Sequence, residues 1–342
     1  KKGLFINAGL NSIGIASAGG AGMALSKLLI EGSTPFDLHE LDPKRFDPVF
    51  CDINVLSKRV PEVLGKHYEI SYPGRQWNTS RNLKQMPLHY KWEKMGAFFG
   101  QVNAIERPLF FNSKRDPELT FKQPDWYNNV KEEVYHVQNS VGIIDQSSFG
   151  KIEIKGQDAI MFLKSICTAN FDKQDFSIIY GLILNKKGGI ECDLVIFKLD
   201  DFNFRIQISI AIFFKIKNFF LNKLNPNLDV KINDITDKFS IIGVFGPKTT
   251  NLVKEIPHLE WINDINFFKL GFGKFLDIDV MVARLSFLGE AGWEMSCKIE
   301  DVDKLATLFF EKNIKPVGLF AQNSMRIEKK FLSYGQDFDS DT

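Results

Sequence analysis

Two β-rich runs carry the side chains best suited to chemistry. Residues 178–184 (IIYGLIL) and 190–198 (IECDLVIFK) flank Asn185-Lys186-Lys187-Gly188-Gly189, a hairpin signal. Tyr180 and Asp193 fall on its opposite strands. With a turn centred on Lys186-Lys187 they face each other, and one residue of register change makes them near neighbours instead. Asp193 stands between Cys192 and Leu194, in a run rich in Val and Ile. It is either an exposed-face residue or a deliberate polar group. A second run, LSFLGEAGWEM (285–295), holds Glu290, Trp293 and Glu294 among two glycines. The two acids share a face if the strand is regular. The glycines allow a bulge or a close ligand approach. A third, AQNSMRIEKKF (321–331), reads as a helix start carrying Arg326 and Glu328, whose ordinary role is surface ion pairing. Carboxylates of this kind accept paired hydrogen bonds, and a Tyr or Trp ring offers a stacking wall.

An α+β scaffold with antiparallel sheets must position these groups. Lys151–Lys155 alternates with period two, and a helix is expected from Asp158 to Ile166. Residues 204–209 (FRIQIS) read as a strand. A helix over Val302–Lys312 has Asp301 as its expected N-cap. Residues 1–32 read as a strand (Leu4–Asn7), a Gly/Ser/Asn-rich turn and a helix over Gly20–Ile30. Gly19-Gly20-Ala21-Gly22 is not a GxGxxG fingerprint, and no acid about 20 positions on completes a dinucleotide site. Residues 33–88 are turn-rich, with one helix near Ile53–Leu64. They hold too few apolar residues for their own core and are expected to lean on a neighbour.

The composition narrows the class. A chain of 342 residues suggests two or three domains. Its 43 basic and 42 acidic residues give no reason to expect nucleic acid or an anionic membrane as a partner. Cys51, Cys167, Cys192 and Cys297 are scattered and the histidines form no HxxxH pattern. Neither a disulfide framework nor a metal site is expected, and a reducing compartment fits. The longest apolar stretch, Ile206–Leu221, is broken by Lys215 and Lys217. The chain opens on Lys rather than Met, so its natural start is expected upstream.

The order of four segments is specific. The chain resembles the flavin-dependent dimethylglycine and sarcosine oxidoreductases, which carry a C-terminal domain similar to the glycine-cleavage T-protein (aminomethyltransferase). GLNSIGIASAGGAGMAL looks like the last FAD-contacting turn and helix of that fold. DLHELDPKRFDP, LGKHYEISYPG and SRNLKQMPLHY look like its small central domain. KWEKMGAFFGQVNAIERPLFF and VGIIDQSSFGKIEIKGQDAIMFL look like the start of the aminomethyltransferase domain. LNKKGGIECDLVIFKL, LSFLGEAGWEM and GLFAQNSMRIEKKFLSYGQDF follow in the order of its folate-binding core.

The resemblance implies three parts: the end of an FAD domain (1–32), a central domain (33–88) and a folate-binding domain (89–342) lacking its last β barrel. It implies FAD contacts at Ser12, Ile13, Gly14 and Ile15. It implies a tetrahydrofolate site of Tyr180, Asp193, Glu294 and Glu290, with Asp193 catalytic. A pterin presents an N–H and an NH2 side by side, which one carboxylate accepts together. The implied activity is oxidation of an N-methyl amine at FAD and transfer of the one-carbon unit to tetrahydrofolate. Oxygen or an electron-transfer flavoprotein would take the electrons, in the cytoplasm or a mitochondrial matrix. Two rivals share the architecture: a non-catalytic regulatory protein, and a standalone aminomethyltransferase. One departure is Gln322, where T-proteins have Arg.

Overall fold

The computed structural model describes residues 3–113 and 116–341. Helix α1 (Gly14–Glu31) is followed by short 3-10 turns and α2 (Ile53–Gly65). Then come β1 (Lys84–Gln85), α3 (His89–Lys94), β2 (Phe98–Val102), β3 (Ile105–Phe110) and α4 (Tyr127–Asn139). The next stretch is β4 (Gly142–Asp145), β5 (Gly150–Lys155), α5 (Ala159–Ile166), β6 (Ser177–Leu184), β7 (Ile190–Asp200), β8 (Asn203–Ile208) and α6 (Phe213–Lys223). The last is β9 (Lys231–Asp234), β10 (Phe239–Phe245), α7 (Thr249–Lys254), β11 (Leu270–Phe275), β12 (Ile278–Ala283), β13 (Gly292–Lys298), α8 (Val302–Glu311), β14 (Lys315–Pro316) and α9 (Leu319–Glu328). The α+β class is as expected. No described helix is long and apolar enough to cross a membrane.

Two antiparallel sheets carry the molecule. One has the order β6-β7-β8-β5-β9; the other has β11-β12-β13-β10-β4, with β14 added parallel to β4. Alternation gives each strand two faces with different jobs. Ile179, Ile183, Cys192, Leu194 and Ile196 point into a core shared with Phe162 of α5 and Phe213, Ile216 and Phe220 of α6. Val282, Trp293, Met295 and Cys297 point into a second core under Val302, Leu305, Ala306 and Phe309 of α8. The remaining faces meet each other: Ile178 and Phe197 of the first sheet touch Leu270, Met281 and Ala283 of the second. Backbone bonds stitch one margin of that contact, from Ile178 N to Phe268 O and from Leu270 N to Phe176 O. The space between these faces is where the site must be sought.

Polar bonds tie residues 33–88 together and fasten them to β2 and β3. Helix α2 buries none of its residues, in keeping with a segment that lacks its own core. Arg59 Nη2 donates to Thr79 O at 2.6 Å and to Gln101 Oε1 at 2.8 Å. Glu62 accepts from the backbone N–H groups of Asn78 and Thr79, both at 2.8 Å. Burial raises its pKa, but Lys66 and these donors outweigh that and hold it at about 2. Arg81 forks onto fully buried Glu106 of β3 at 2.6 and 2.8 Å.

Four sequence expectations need correction. Leu4–Asn7 is not a strand, because no neighbour among the described residues completes its ladder. Helix α1 begins at Gly14, so Gly19, Gly20 and Gly22 lie inside it; Ala16, Ala18, Ala21 and Ala24, the best helix formers, offset them. Asp301 stands at the start of α8 without a side-chain capping bond. Arg326 is no surface residue: it is 2% exposed and anchors the C-terminal tail, donating to Phe331 O at 2.9 Å and to Gln336 Oε1 at 2.5 Å, and pairing with Asp337.

Candidate functional site

The β6–β7 register pairs Leu182 with Asp193 and Tyr180 with Val195. Tyr180 and Asp193 are therefore diagonal neighbours rather than a directly facing pair. Leu184 pairs with Ile190, which centres the turn on Lys187, and a bulge at Ile183/Leu184 adds a further residue of shift. Asn185 shapes the turn, its Oδ1 accepting from Lys187 N at 2.9 Å and Gly189 N at 3.0 Å. The diagonal suits a long phenol, and Tyr180 Oη donates to Asp193 Oδ2 at 3.3 Å. Burial raises the Asp193 pKa, and the Tyr180 hydroxyl pulls it part of the way back. The Tyr180 ring is half exposed, so one face is open for stacking.

The hairpin is held from outside by parts of the chain far away in sequence. Asn185 Nδ2 donates to Ser340 O at 2.9 Å, and Lys187 Nζ to Pro35 O at 2.7 Å. Ser340 Oγ donates to Asp37 Oδ2 at 2.7 Å. Lys215 of α6 pairs with Glu191 at 2.6 Å and donates to Tyr334 Oη at 3.2 Å. Gly189 is required here, since a Cβ would stand 1.9 Å from Ser340 O. Nothing in the residue pattern announced this three-way junction.

Glu294 lies on β13, opposite Gly243 of β10 and Ala283 of β12. It is buried, and its Oε2 accepts from Gln207 Nε2 across the inter-sheet space at 3.1 Å. Gln207 stands opposite Val195, which in turn stands opposite Tyr180 and lies two residues from Asp193. Asp193 and Glu294 thus belong to the two facing surfaces, linked through Val195 and Gln207. Burial pushes the Glu294 carboxyl up to about 7, while the Gln207 and Gln146 amides pull the other way. A gap of about 20 Å³ between the sheets, lined by Lys151, Arg205, Gln207, Met281 and Ser296, has room for about one water.

Glu290 does not share this surface. Strand β13 starts only at Gly292, so Glu290 sits in the preceding turn and pairs with Lys329 at 3.4 Å. The assumption of a regular strand through 290–294 fails because Gly289 and Gly292 take φ values of 77° and 156°. Trp293 likewise points away from Glu294 into the core under α8. Sequence reasoning missed Gln146 and Gln207. The only signal was a polar residue inside an apolar strand (FRIQIS) and just after one (VGIIDQSS).

Ser12, Ile13, Gly14 and Ile15 form the start of α1. Ser12 has φ 63°, Ile13 is the N-cap with no side-chain capping bond, and the first turn holds no acid. The first backbone N–H groups of a helix have no partners within it. Together with the helix dipole they favour an electron-rich ligand edge, so these residues fit a flavin contact.

The family model described as the GCVT N-terminal domain matches residues 88–342. The chain belongs to the GCVT family. A second model, the FAD dependent oxidoreductase central domain, matches residues 31–85 of this GCVT chain. It is 31% identical to 4-methylaminobutanoate oxidase (formaldehyde-forming) of Paenarthrobacter nicotinovorans, over 98% of this chain and 41% of that protein. It is 28% identical to mitochondrial dimethylglycine dehydrogenase of Rattus norvegicus (96% and 39%). It is 29% identical to the mitochondrial pyruvate dehydrogenase phosphatase regulatory subunit of Mus musculus (99% and 40%). The chain thus spans about two fifths of the length of these relatives. The fold is shared with the glycine cleavage system aminomethyltransferase T from Bartonella henselae, with a TM-score of 0.65 at 22% identity over 76% of this chain and 66% of that one. The resemblance read from the residues and the family found by comparison agree.

Proposed function

We propose that this GCVT chain is the one-carbon-transfer part of an FAD-dependent oxidoreductase acting on an N-methyl amine such as dimethylglycine or sarcosine. The observation that carries the reading is Glu294, a buried carboxylate with no cationic partner among the described residues, facing the sheet that bears Tyr180 and Asp193. Such a group is costly unless N–H or O–H donors satisfy its oxygens. A tetrahydrofolate ring supplies that, because its N–H and NH2 donate side by side. Tyr180 offers a stacking face, and Asp193 orients the folate amines and stabilises positive charge as the one-carbon unit arrives. FAD, where bound, supplies the two-electron oxidation of the N-methyl group, and the start of α1 contributes backbone contacts to it. Electrons leave to oxygen or an electron-transfer flavoprotein.

Titrating the 342-residue chain with tetrahydrofolate tests this. Saturable binding that Asp193→Ala weakens supports the reading; no binding, or equal binding by both proteins, contradicts it. A second reading, a non-catalytic regulatory protein, draws on the 29% identity to the phosphatase regulatory subunit. It predicts neither folate binding nor amine oxidation. A standalone aminomethyltransferase is disfavoured by the central-domain match over residues 31–85.

A further inference from the structure

We infer that Gln146 is a ligand-recognition residue of the inter-sheet site, donating its amide N–H to the ring carbonyl of a pteridine held by Glu294. This rests on the folate reading above. Gln146 follows β4 and is 2% exposed, yet among the described residues neither its Nε2 nor its Oε1 has a hydrogen-bond partner. Buried amides are nearly always satisfied, so an orphan of this kind marks a place where a partner is missing. Its position is defined by Gly243, the residue directly opposite Glu294. A Cβ on Gly243 would stand 2.7 Å from Gln146 Oε1 and 2.3 Å from the Phe245 ring. The amide therefore occupies the space over Gly243, beside the Glu294 carboxyl, and that carboxyl feels it.

The donor and acceptor pattern points to one class of ligand. Gln207 already donates to Glu294 Oε2. Glu294 keeps acceptor capacity for N–H donors, and Gln146 Nε2, near enough to pull on the Glu294 carboxyl but with no partner within hydrogen-bond distance among the described residues, is left to donate to a ligand. A 2-amino-4-oxo pteridine carries along one edge an NH2, a ring N–H and a carbonyl. The first two match the carboxylate and the third matches the amide. The gap that Gln207 lines holds only about 20 Å³, so a ring held by Glu294 and Gln146 requires side chains between the sheets to move aside.

The test compares wild type with Gln146→Leu, using calorimetric titration of 5-formyltetrahydrofolate and thermal unfolding without ligand. Removing an orphaned buried amide is neutral or stabilising, whereas losing a ligand hydrogen bond weakens binding roughly 10-fold. The expected result is therefore an unchanged or higher unfolding midpoint together with affinity lower by about that factor. Gln146→Met, an unbranched substitute of similar volume, repeats the test if the leucine does not fit. Wild-type affinity in a well-folded variant overturns the assignment of Gln146 and leaves the folate reading intact. Loss of stability in step with affinity shows a structural amide and also overturns it. Absence of binding by wild type overturns the folate reading itself.

Discussion

Tyr180 Oη lies 3.3 Å from Asp193 Oδ2, across a diagonal of the β6–β7 hairpin. The phenol is the donor that keeps a partly buried carboxylate closer to its ordinary acidity. Tyr180→Phe removes that donor, so the Asp193 pKa rises further. Folate affinity at neutral pH is expected to fall about 3- to 10-fold, the effect of one hydrogen bond. The lower limb of the binding–pH profile should move to higher pH. Because Tyr180 is half exposed, the unfolding midpoint should barely change. Titrations across pH check the first effect and a thermal melt the second.

Glu294 makes stability depend on pH in a defined direction. Its folded pKa of about 7 lies above the ordinary 4.5. A carboxyl raised in this way contributes stability that is present below 4.5 and lost as pH rises through 7. Glu133 of α4, also raised to about 7 by burial, adds a slope of the same sign. Glu294→Gln should flatten the curve by its own share and be more stable than wild type at pH 8 by about 2–3 kcal/mol. Folate binding should show the opposite trend in wild type, strengthening through pH 7 as the carboxylate ionises. Denaturant unfolding at several pH values measures the stability part.

Gly189→Ala should release the tail. The added methyl would meet Ser340 O, and the junction of Asn185, Ser340 and Asp37 would open. Trypsin cleavage at Lys329 or Lys330 should accelerate several-fold, as it does where anchoring contacts are lost. Folate affinity should fall as well, because the same hairpin carries Asp193. Timed proteolysis with mass analysis gives the answer.

The purified 342-residue chain should be colourless. The start of α1 offers backbone contacts to one edge of a flavin, and a single edge does not bury a ligand of that size. Visible absorbance of the purified chain, before and after adding FAD, checks this. A stoichiometric yellow chromophore would show a more complete flavin site than Ser12–Ile15 provide.

Much of this was legible in the sequence. The hairpin, α5, α8 and the strand at 204–209 were readable because their apolar residues repeat with periods of two or about four. Asp193 and Glu294 were singled out as carboxylates in apolar runs. Their link through Gln207 was not legible, because facing residues of two sheets leave no periodic trace. Glu290 was misplaced because two glycines broke a strand that spacing alone made regular. The burial of Arg326 was equally hidden: besides Asn323 on its own helix, its partners lie 5 to 11 residues downstream in a tail without periodic pattern.

The most direct measurement is a crystal structure of the chain with 5-formyltetrahydrofolate. The account predicts the pteridine between the two sheets, its NH2 and N–H on Glu294 and its ring carbonyl on Gln146, with the rest of the ligand running past Tyr180 and Asp193. Ligand bound elsewhere, or a pteridine out of reach of Glu294, would contradict it.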